Sequence, residues 1–261
     1  MNKRSTVILA VIIFILGVSL AFAEDWSIRK SSHFIINYKD APEDFIDNVI
    51  ETAEEYYENI TRDLGFTRYG AWTWEDRCKI YIYKDTVEYL QATKQPEWSS
   101  GSTSYKDKVI NTYPLAAGFF DTLLPHELGH IIFREFVGFR ADVPLWLDEG
   151  VASYQEKSRR WGSNQIVRQA IKDKTFIPLE ELSGRALAST QDRGTVEIFY
   201  AEASSLIYYL ITEFGKYRFV DFCENLKDGQ RFEAALHSVY SRFDNIQQLQ
   251  KDWLDYLEDE E

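Results

Sequence analysis

The chain has 261 residues, of which 45% are apolar and 27% charged, and its formal net charge is −13. This is the composition of a folded globular protein, and it excludes a disordered or low-complexity chain. The acidic balance repels phosphate backbones and anionic lipids, so we expect neither nucleic acid nor a membrane surface as a partner. The length suits one large domain with a buried core, or two small ones.

The first 23 residues have the pattern of a secretory signal peptide. Lys3 and Arg4 precede an apolar run over 7–20, and an Ala-Phe-Ala cleavage signal follows. The alternative is an uncleaved membrane anchor, but the run is short for a span and ends in small residues. We predict a signal peptide over 1–23 and one catalytic domain over 24–261, with no membrane span after cleavage. Loss of the two basic residues changes the formal charge to −15, and the mature protein is expected to be periplasmic or extracellular.

Hydrophobic periodicity predicts a small mixed sheet with helices in the first half of the mature chain. Alternating apolar residues indicate three strands, over 33–38, 78–84 and 108–113. Apolar residues three and four apart predict a helix that opens near Pro42 and ends at Gly65. Asp85 caps a shorter helix that reaches Lys94.

The second half is predicted to be almost entirely helical. Asp121 is a suitable N-cap for its first helix, and Pro125 falls in the first turn of that helix. The helix ends at Gly138. Further helices are predicted over 149–158, 163–173, 196–214, 216–227, 230–241 and 244–258. A sheet followed by helices indicates an α+β domain with a cleft between two lobes.

A metal-binding pattern lies in the helix that precedes Gly138. The residues His126-Glu127-Leu128-Gly129-His130 form an H-E-x-x-H motif. Two imidazoles four residues apart project from one face of a helix, close enough to bind one zinc ion. Glu127 can reach a metal-bound water without occupying the metal. A zinc hydrolase has three protein ligands and an open position, so one more ligand must come from another segment.

Glu149 is the best candidate for the third ligand. Asp148 can cap a new helix and leave Glu149 in its first turn. Eighteen residues separate His130 from Glu149, which is enough for one helix to end and a second to return across it. The remaining histidines are weaker candidates, because His33 lies in a strand without a second ligand nearby and His237 has the setting of an ordinary helix residue.

The pairing of H-E-x-x-H with Glu149 inside Trp-Leu-Asp-Glu-Gly-Val-Ala-Ser-Tyr (146–154) resembles the gluzincin metallopeptidases. The segment is most similar to aminopeptidase-N-like peptidases and to small bacterial peptidase MA-like proteins. A second segment, over 200–210, resembles the family helix that starts with a catalytic tyrosine and continues in small and apolar residues.

The resemblance implies a zincin catalytic domain with a thermolysin-like fold. Together with the predicted signal peptide, it implies that the protein is an exported zinc-dependent metallopeptidase. It implies one Zn²⁺ per chain, bound by His126, His130 and Glu149, and a peptide or protein substrate. Glu127 would be the general base that acts on the zinc-activated water, and Tyr200 would donate a hydrogen bond to the oxyanion. The alternative for Tyr200 is a core residue, since the chain has sixteen tyrosines.

One departure from the aminopeptidases leaves the mode of cleavage open. Those enzymes carry Gly-Ala-Met-Glu-Asn before the zinc helix, and its glutamate binds the free amine of the substrate. Met1 is the only methionine in this sequence, so the segment is absent. The stretch over 99–113 takes its place, and we expect the strand over 108–113 to bind an extended peptide by edge pairing.

Two other functions are compatible with the same residues. One is a zinc-containing binding or scaffold protein without turnover, although a structural site prefers four protein ligands and has no need of Glu127. The other is a metallohydrolase that acts on a non-peptide substrate, such as a small amide or an epoxide. The sequence also leaves open the oligomeric state and whether Cys78 and Cys223 form a disulfide or stay free.

Overall fold

The computed structural model describes residues 26–66, 72–97, 99–184 and 192–259. The predicted signal peptide over 1–23 lies outside the described residues and stays a prediction. Within the described ranges, no helix is both long enough and apolar enough to cross a membrane.

A five-stranded mixed sheet forms the N-terminal part of the fold. The strands are β1 (Ser27–Lys30), β2 (Phe34–Tyr38), β3 (Cys78–Ile82), β4 (Ser102–Ser104) and β5 (Val109–Thr112). They lie in the order β1-β2-β3-β5-β4. The three central strands are parallel, and β1 and β4 pair antiparallel at the edges. The three predicted strands are therefore confirmed, and β1 and β4 are additions.

The position of β5 shows that the prediction of peptide binding at the edge of the strand over 108–113 was wrong. Both sides of β5 are occupied, by β3 and by β4, so the strand over 108–113 has no open edge. In the described sheet that edge belongs to β4. The small polar residues over 99–104 have no alternating apolar pattern, which is why the sequence did not indicate a strand there.

Two helices accompany the sheet. The first, α1 (Glu43–Leu64), begins after Pro42 and ends at Gly65, as predicted, and its apolar face contacts β2 and the helix over Leu124–Val137. The second, α2 (Thr86–Thr93), begins at Asp85, whose carboxylate accepts a hydrogen bond from the backbone N–H of Glu88. The predicted caps of both helices are thus confirmed.

Helices fill the described part of the second half. They are α3 (Leu124–Val137), α4 (Leu145–Tyr154), α5 (Lys157–Asp173), α6 (Leu179–Gly184), α7 (Arg193–Phe214), α8 (Lys216–Lys227), α9 (Phe232–Val239) and α10 (Ile246–Asp259). Most predicted helices are present, and the short α6 is an addition. The helix predicted over 149–158 is interrupted, because α4 ends at Tyr154 and α5 begins at Lys157. A small N-terminal sheet followed by helices confirms the predicted α+β class.

The start of α3 differs from the prediction. A π-helical turn over Phe119–Leu123 leads directly into Leu124, so Asp121 lies before the helix and its side chain caps no N–H group. Pro125 is in the first turn, as expected, and Gly138 ends the helix. Because the preceding turn continues the helical path, α3 needs no separate N-cap.

The start of α4 is also corrected. The helix begins at Leu145, after Pro144 in an extended conformation, so Asp148 lies inside the first turns and is not the cap. Proline has a φ angle that suits a position at a helix start, and a cap further along is not needed. The carboxylate of Asp148 is consequently available for another partner.

One continuous hydrophobic core joins the sheet to the C-terminal helices. Its largest fully buried side chains come from both halves of the chain; they include Phe34, Trp72, Trp146, Phe219 and Trp253. Cys78 and Cys223 belong to this core as free thiols, which answers the question of the disulfide. Burial raises the pKa of both thiols, so both are unreactive at neutral pH.

Two glycines allow α3, α4 and α7 to approach to backbone contact. A Cβ atom on Gly129 of α3 would lie 2.9 Å from Cα of Ala152 in α4. A Cβ atom on Gly150 of α4 would lie 2.5 Å from the carbonyl oxygen of Ala203 in α7. Both distances are shorter than van der Waals contact, so a side chain at either position forces the helices apart.

Replacement of Gly150 by alanine is expected to lower the free energy of unfolding by roughly 1–3 kcal/mol, because the new methyl group meets backbone atoms that move only with α7. Gly162→Ala is the matched control. Gly162 lies inside α5, and an added Cβ there has no neighbour within 4 Å. Alanine at that position should raise the free energy of unfolding by roughly 0.5–1 kcal/mol. Chemical denaturation measures both, and a Gly150→Ala protein as stable as wild type would contradict the close packing.

Candidate metal centre

Three side chains from α3 and α4 converge on one point. The Nε2 atoms of His126 and His130 lie 3.2 Å apart, and Oε2 of Glu149 lies 3.5 Å from each of them. The histidines are four residues apart on α3, and α4 packs against this helix and presents the carboxylate. The fold therefore brings together the three residues that the sequence indicated as ligands.

The three donor atoms fit a cation. Oε2 of Glu149 is buried and has no hydrogen-bond partner within the described chain, which is costly unless an ion or water satisfies the oxygen. Two imidazole nitrogens 3.2 Å apart also cannot both carry a proton toward each other. Two histidines and one carboxylate form the ligand set of many catalytic zinc sites, which leave one position open.

A carboxylate binds the other nitrogen of each imidazole. Nδ1 of His130 lies 3.0 Å from Oδ1 of Asp148, and Nδ1 of His126 lies 2.8 Å from Oε1 of Glu156. Such a partner determines which nitrogen carries the proton and how the ring is oriented. Asp148, expected as a helix cap, thus orients the ring of His130, and the Nε2 atoms of both rings are left to face each other and Glu149.

Two arginines hold these carboxylates. Nε and Nη2 of Arg134 lie 2.8 and 2.7 Å from Oδ2 of Asp148. Nε of Arg159 donates to Oε2 of Glu156 at 3.0 Å. Since Asp148 and Glu156 are 7% and 2% exposed, each buried negative charge has a positive partner that offsets the cost of burial.

The carboxylates favour positive charge at the metal position. Burial alone would lower the pKa of His130, but the nearby carboxylates of Asp148 and Glu149 outweigh burial and raise it to about 10. The pKa of His126 is also raised, against burial, by Glu149 and Glu156. Burial would raise the pKa of Glu149, yet the two imidazoles lower it to about 2.

A cleft of about 380 Å³ opens beside the convergence point. His126, Glu127, Glu156, Arg159 and Tyr200 line it from the helical half of the chain. The remaining lining residues are small or uncharged; they are Ser99, Ser100, Gly101, Ala117, Thr122 and Leu123. The cleft therefore lies between the end of the sheet and the helices, as the two-lobed prediction requires.

Glu127 and Tyr200 both face this cleft. Oε2 of Glu127 is buried and has no hydrogen-bond partner in the described part of the chain. The ring centroid of Tyr200 lies 6.1 Å from that of His126, and one side of the ring packs against the core. Burial and the charge of Glu149 raise the pKa of Tyr200, so its phenol keeps the proton at neutral pH and can donate it in a hydrogen bond.

The two remaining histidines lie elsewhere. Nδ1 of His33 is 2.6 Å from Oε2 of Glu54, and the His33 ring stacks on Tyr57 at a centroid distance of 3.9 Å. His237 is exposed, and its Nδ1 lies 3.2 Å from the carbonyl oxygen of Phe243. Both histidines therefore interact with residues outside the group formed by His126, His130 and Glu149.

Four residues of the site were not assigned to it by the sequence. They are Arg134, Asp148, Glu156 and Arg159. Arg134 lies one helical turn after His130, a spacing that could have indicated it. Glu156 lies beyond the end of α4, and only the path of the chain there brings its carboxylate to His126.

Wild-type protein is expected to bind about one zinc ion per chain, and His126→Ala should abolish that stoichiometry. Glu156→Gln should weaken zinc binding roughly 10- to 100-fold, because it removes the charge that orients His126. Competition with a chromophoric chelator gives both affinities. Glu51→Gln, on the exposed face of α1, is the matched control and should bind zinc as wild type does. Unchanged affinity in Glu156→Gln would contradict the orienting role.

Comparison with protein families places this chain in a known group. Residues 68–259 match the Peptidase MA superfamily, a range that includes both site helices and Tyr200. No curated protein matches the chain. The match spans most of the sequence, so the chain belongs to the Peptidase MA superfamily and carries a metallopeptidase-type domain.

Proposed function

We propose that the protein is a zinc-dependent metallopeptidase of the gluzincin type, with His126, His130 and Glu149 as the zinc ligands. The observation that carries the proposal is the convergence of these three donors beside Glu127, whose Oε2 atom is buried and has no hydrogen-bond partner in the described part of the chain. A structural zinc site prefers four protein ligands and has no need of such a carboxylate. The arrangement therefore favours catalysis over a scaffold role.

Glu127 is proposed as the general base. When bound, zinc acts as a Lewis acid that polarises a carbonyl and lowers the pKa of water to about 7. Glu127 accepts the proton from the attacking water and passes it to the amine that leaves. Its Oε2 is suited to this transfer because no other protein group in the described chain occupies it.

Tyr200 is proposed as the donor to the carbonyl oxygen that gains negative charge. Its phenol is protonated at neutral pH, and the guanidinium of Arg159 lies 5.0 Å over its ring and holds it at the cleft wall. One donor to a developing oxyanion stabilises the transition state by roughly 3–4 kcal/mol.

A peptide or protein substrate is supported by the family and by the sheet. Residues 99–101 line the cleft and lead directly into β4. The outer side of β4 is unpaired in the described sheet, and an extended peptide can add to such an edge through backbone hydrogen bonds. This edge favours a peptide over a small amide or an epoxide.

Export remains a proposal that rests on residues 1–23. If the segment is a signal peptide, protein secreted from a bacterial host should begin at Glu24. Intact-mass measurement of the secreted material tests this. Mature protein that retains Met1 would contradict cleavage.

The proposed roles are tested by two conservative variants. Glu127→Gln should retain zinc and lose hydrolysis of a complex peptide mixture by roughly 10²- to 10⁴-fold. Tyr200→Phe should retain zinc and lower kcat by roughly 10²- to 10³-fold. Tyr208→Phe, on the same helix, is the control and should leave kcat unchanged. Mass spectrometry of the products and metal analysis provide both readouts, and full activity in Glu127→Gln would rule out its role as base.

A further inference from the structure

Arg159 is held rigidly at the wall of the cleft. It lies in the first turn of α5, and its side chain is 30% exposed. Its Nε donates to Glu156, the residue that orients His126, and its guanidinium lies over the ring of Tyr200. The guanidinium thus has a contact on two sides, close to the proposed reaction centre, so binding a substrate would cost little further conformational entropy of the Arg159 side chain.

Most of the hydrogen-bond donors of Arg159 are still available. A guanidinium has five N–H donors, and Glu156 accepts only the one on Nε. In the described part of the chain, the terminal Nη1 and Nη2 groups have no acceptor. The neighbouring Arg160 differs, since its three nitrogens donate to Tyr154, Asp63 and Gln155. All three nitrogens of Arg160 thus donate within the protein. Arg159 lines the cleft, and its two terminal nitrogens have no acceptor in the described part of the chain.

The rest of the cleft directs a substrate carboxylate to this one position. Of the described residues that line it, Arg159 is the only one with a permanent positive charge. Glu127 and Glu156 repel a second carboxylate from their own surroundings. The acidic surface of the chain opposes such a substrate weakly, because charges beyond about 8 Å are screened at physiological ionic strength.

We propose that Arg159 binds a carboxylate of the peptide substrate through its terminal nitrogens and so determines where the peptide is cut. Paired guanidinium N–H groups bind a carboxylate through two parallel hydrogen bonds. The carboxylate is either an acidic side chain near the scissile bond or the free C-terminus of the peptide. This inference rests on the peptidase function proposed above and names its substrate class.

Matched peptides distinguish the two sources. The peptides of the first set share one neutral sequence with an amidated C-terminus. Each carries a single Glu at a different position and is paired with a peptide that has Gln at that position. The second set compares a free C-terminal carboxylate with its amide. Cleavage by zinc-loaded mature protein is followed by mass spectrometry. Binding of the same peptides to Glu127→Gln protein is followed by calorimetry, which requires no turnover.

In one of the two sets, wild-type protein should prefer the peptide that carries the carboxylate over its neutral twin. Its kcat/KM should be higher by roughly 10- to 100-fold when the carboxylate lies at one fixed distance from the cleaved bond. Arg159→Gln should reduce that ratio to about one, even if overall activity also falls through Glu156. Lys157→Gln, which removes an exposed charge from the same helix turn, is the matched control and should keep the ratio. Calorimetry on Glu127→Gln should show the same preference, and the double variant Glu127→Gln/Arg159→Gln should lose it.

The outcomes separate this inference from the proposed function. Cleavage that depends on Glu127 but treats each carboxylate peptide and its twin alike would overturn the role of Arg159 and leave the peptidase intact. A preference that persists in Arg159→Gln would overturn it as well. A binding preference lost in Arg159→Gln, without any cleavage, would support Arg159 and overturn the peptidase. Absence of both binding and cleavage would overturn both proposals.

Discussion

The close approach of α4 to α3 and α7 is the constraint on which the rest of the structure depends. Glu149 reaches His126 and His130 because α4 lies in backbone contact with α3 at Gly129 and with α7 at Gly150. A side chain at either glycine would force the helices apart and move the carboxylate away from the two imidazoles. Packing of three helices therefore determines whether the three donors can share one ion.

From this contact, a chain of charged partners extends to the cleft. His126 is bound by Glu156, Glu156 by Arg159, and the guanidinium of Arg159 lies over Tyr200. Each group orients the next, so the His126 ring, the Glu156 carboxylate and the Tyr200 phenol belong to one network. The same guanidinium lines the cleft, so a substrate that binds it as proposed would be coupled to the geometry of the site.

Much of the fold could be predicted from periodicity and caps. The strand at 78–82, α1 between Pro42 and Gly65, and α2 after Asp85 follow from local patterns that need no tertiary information. β4 could not be predicted, because its residues are small and polar and become a strand only through pairing with β5. Asp121 failed as a cap for a similar reason, since the preceding residues adopt a π-helical turn.

The sequence by itself determined the identity and spacing of His126, Glu127 and His130, because one helix face brings residues four apart together without help from the rest of the chain. It also indicated Glu149, through a motif and through a connecting segment long enough for a second helix to cross back over the first. Only the tertiary structure decided what surrounds them. Asp148 orients the ring of His130 because α4 starts earlier than its sequence suggested, and such contacts between distant segments have no local sequence signal.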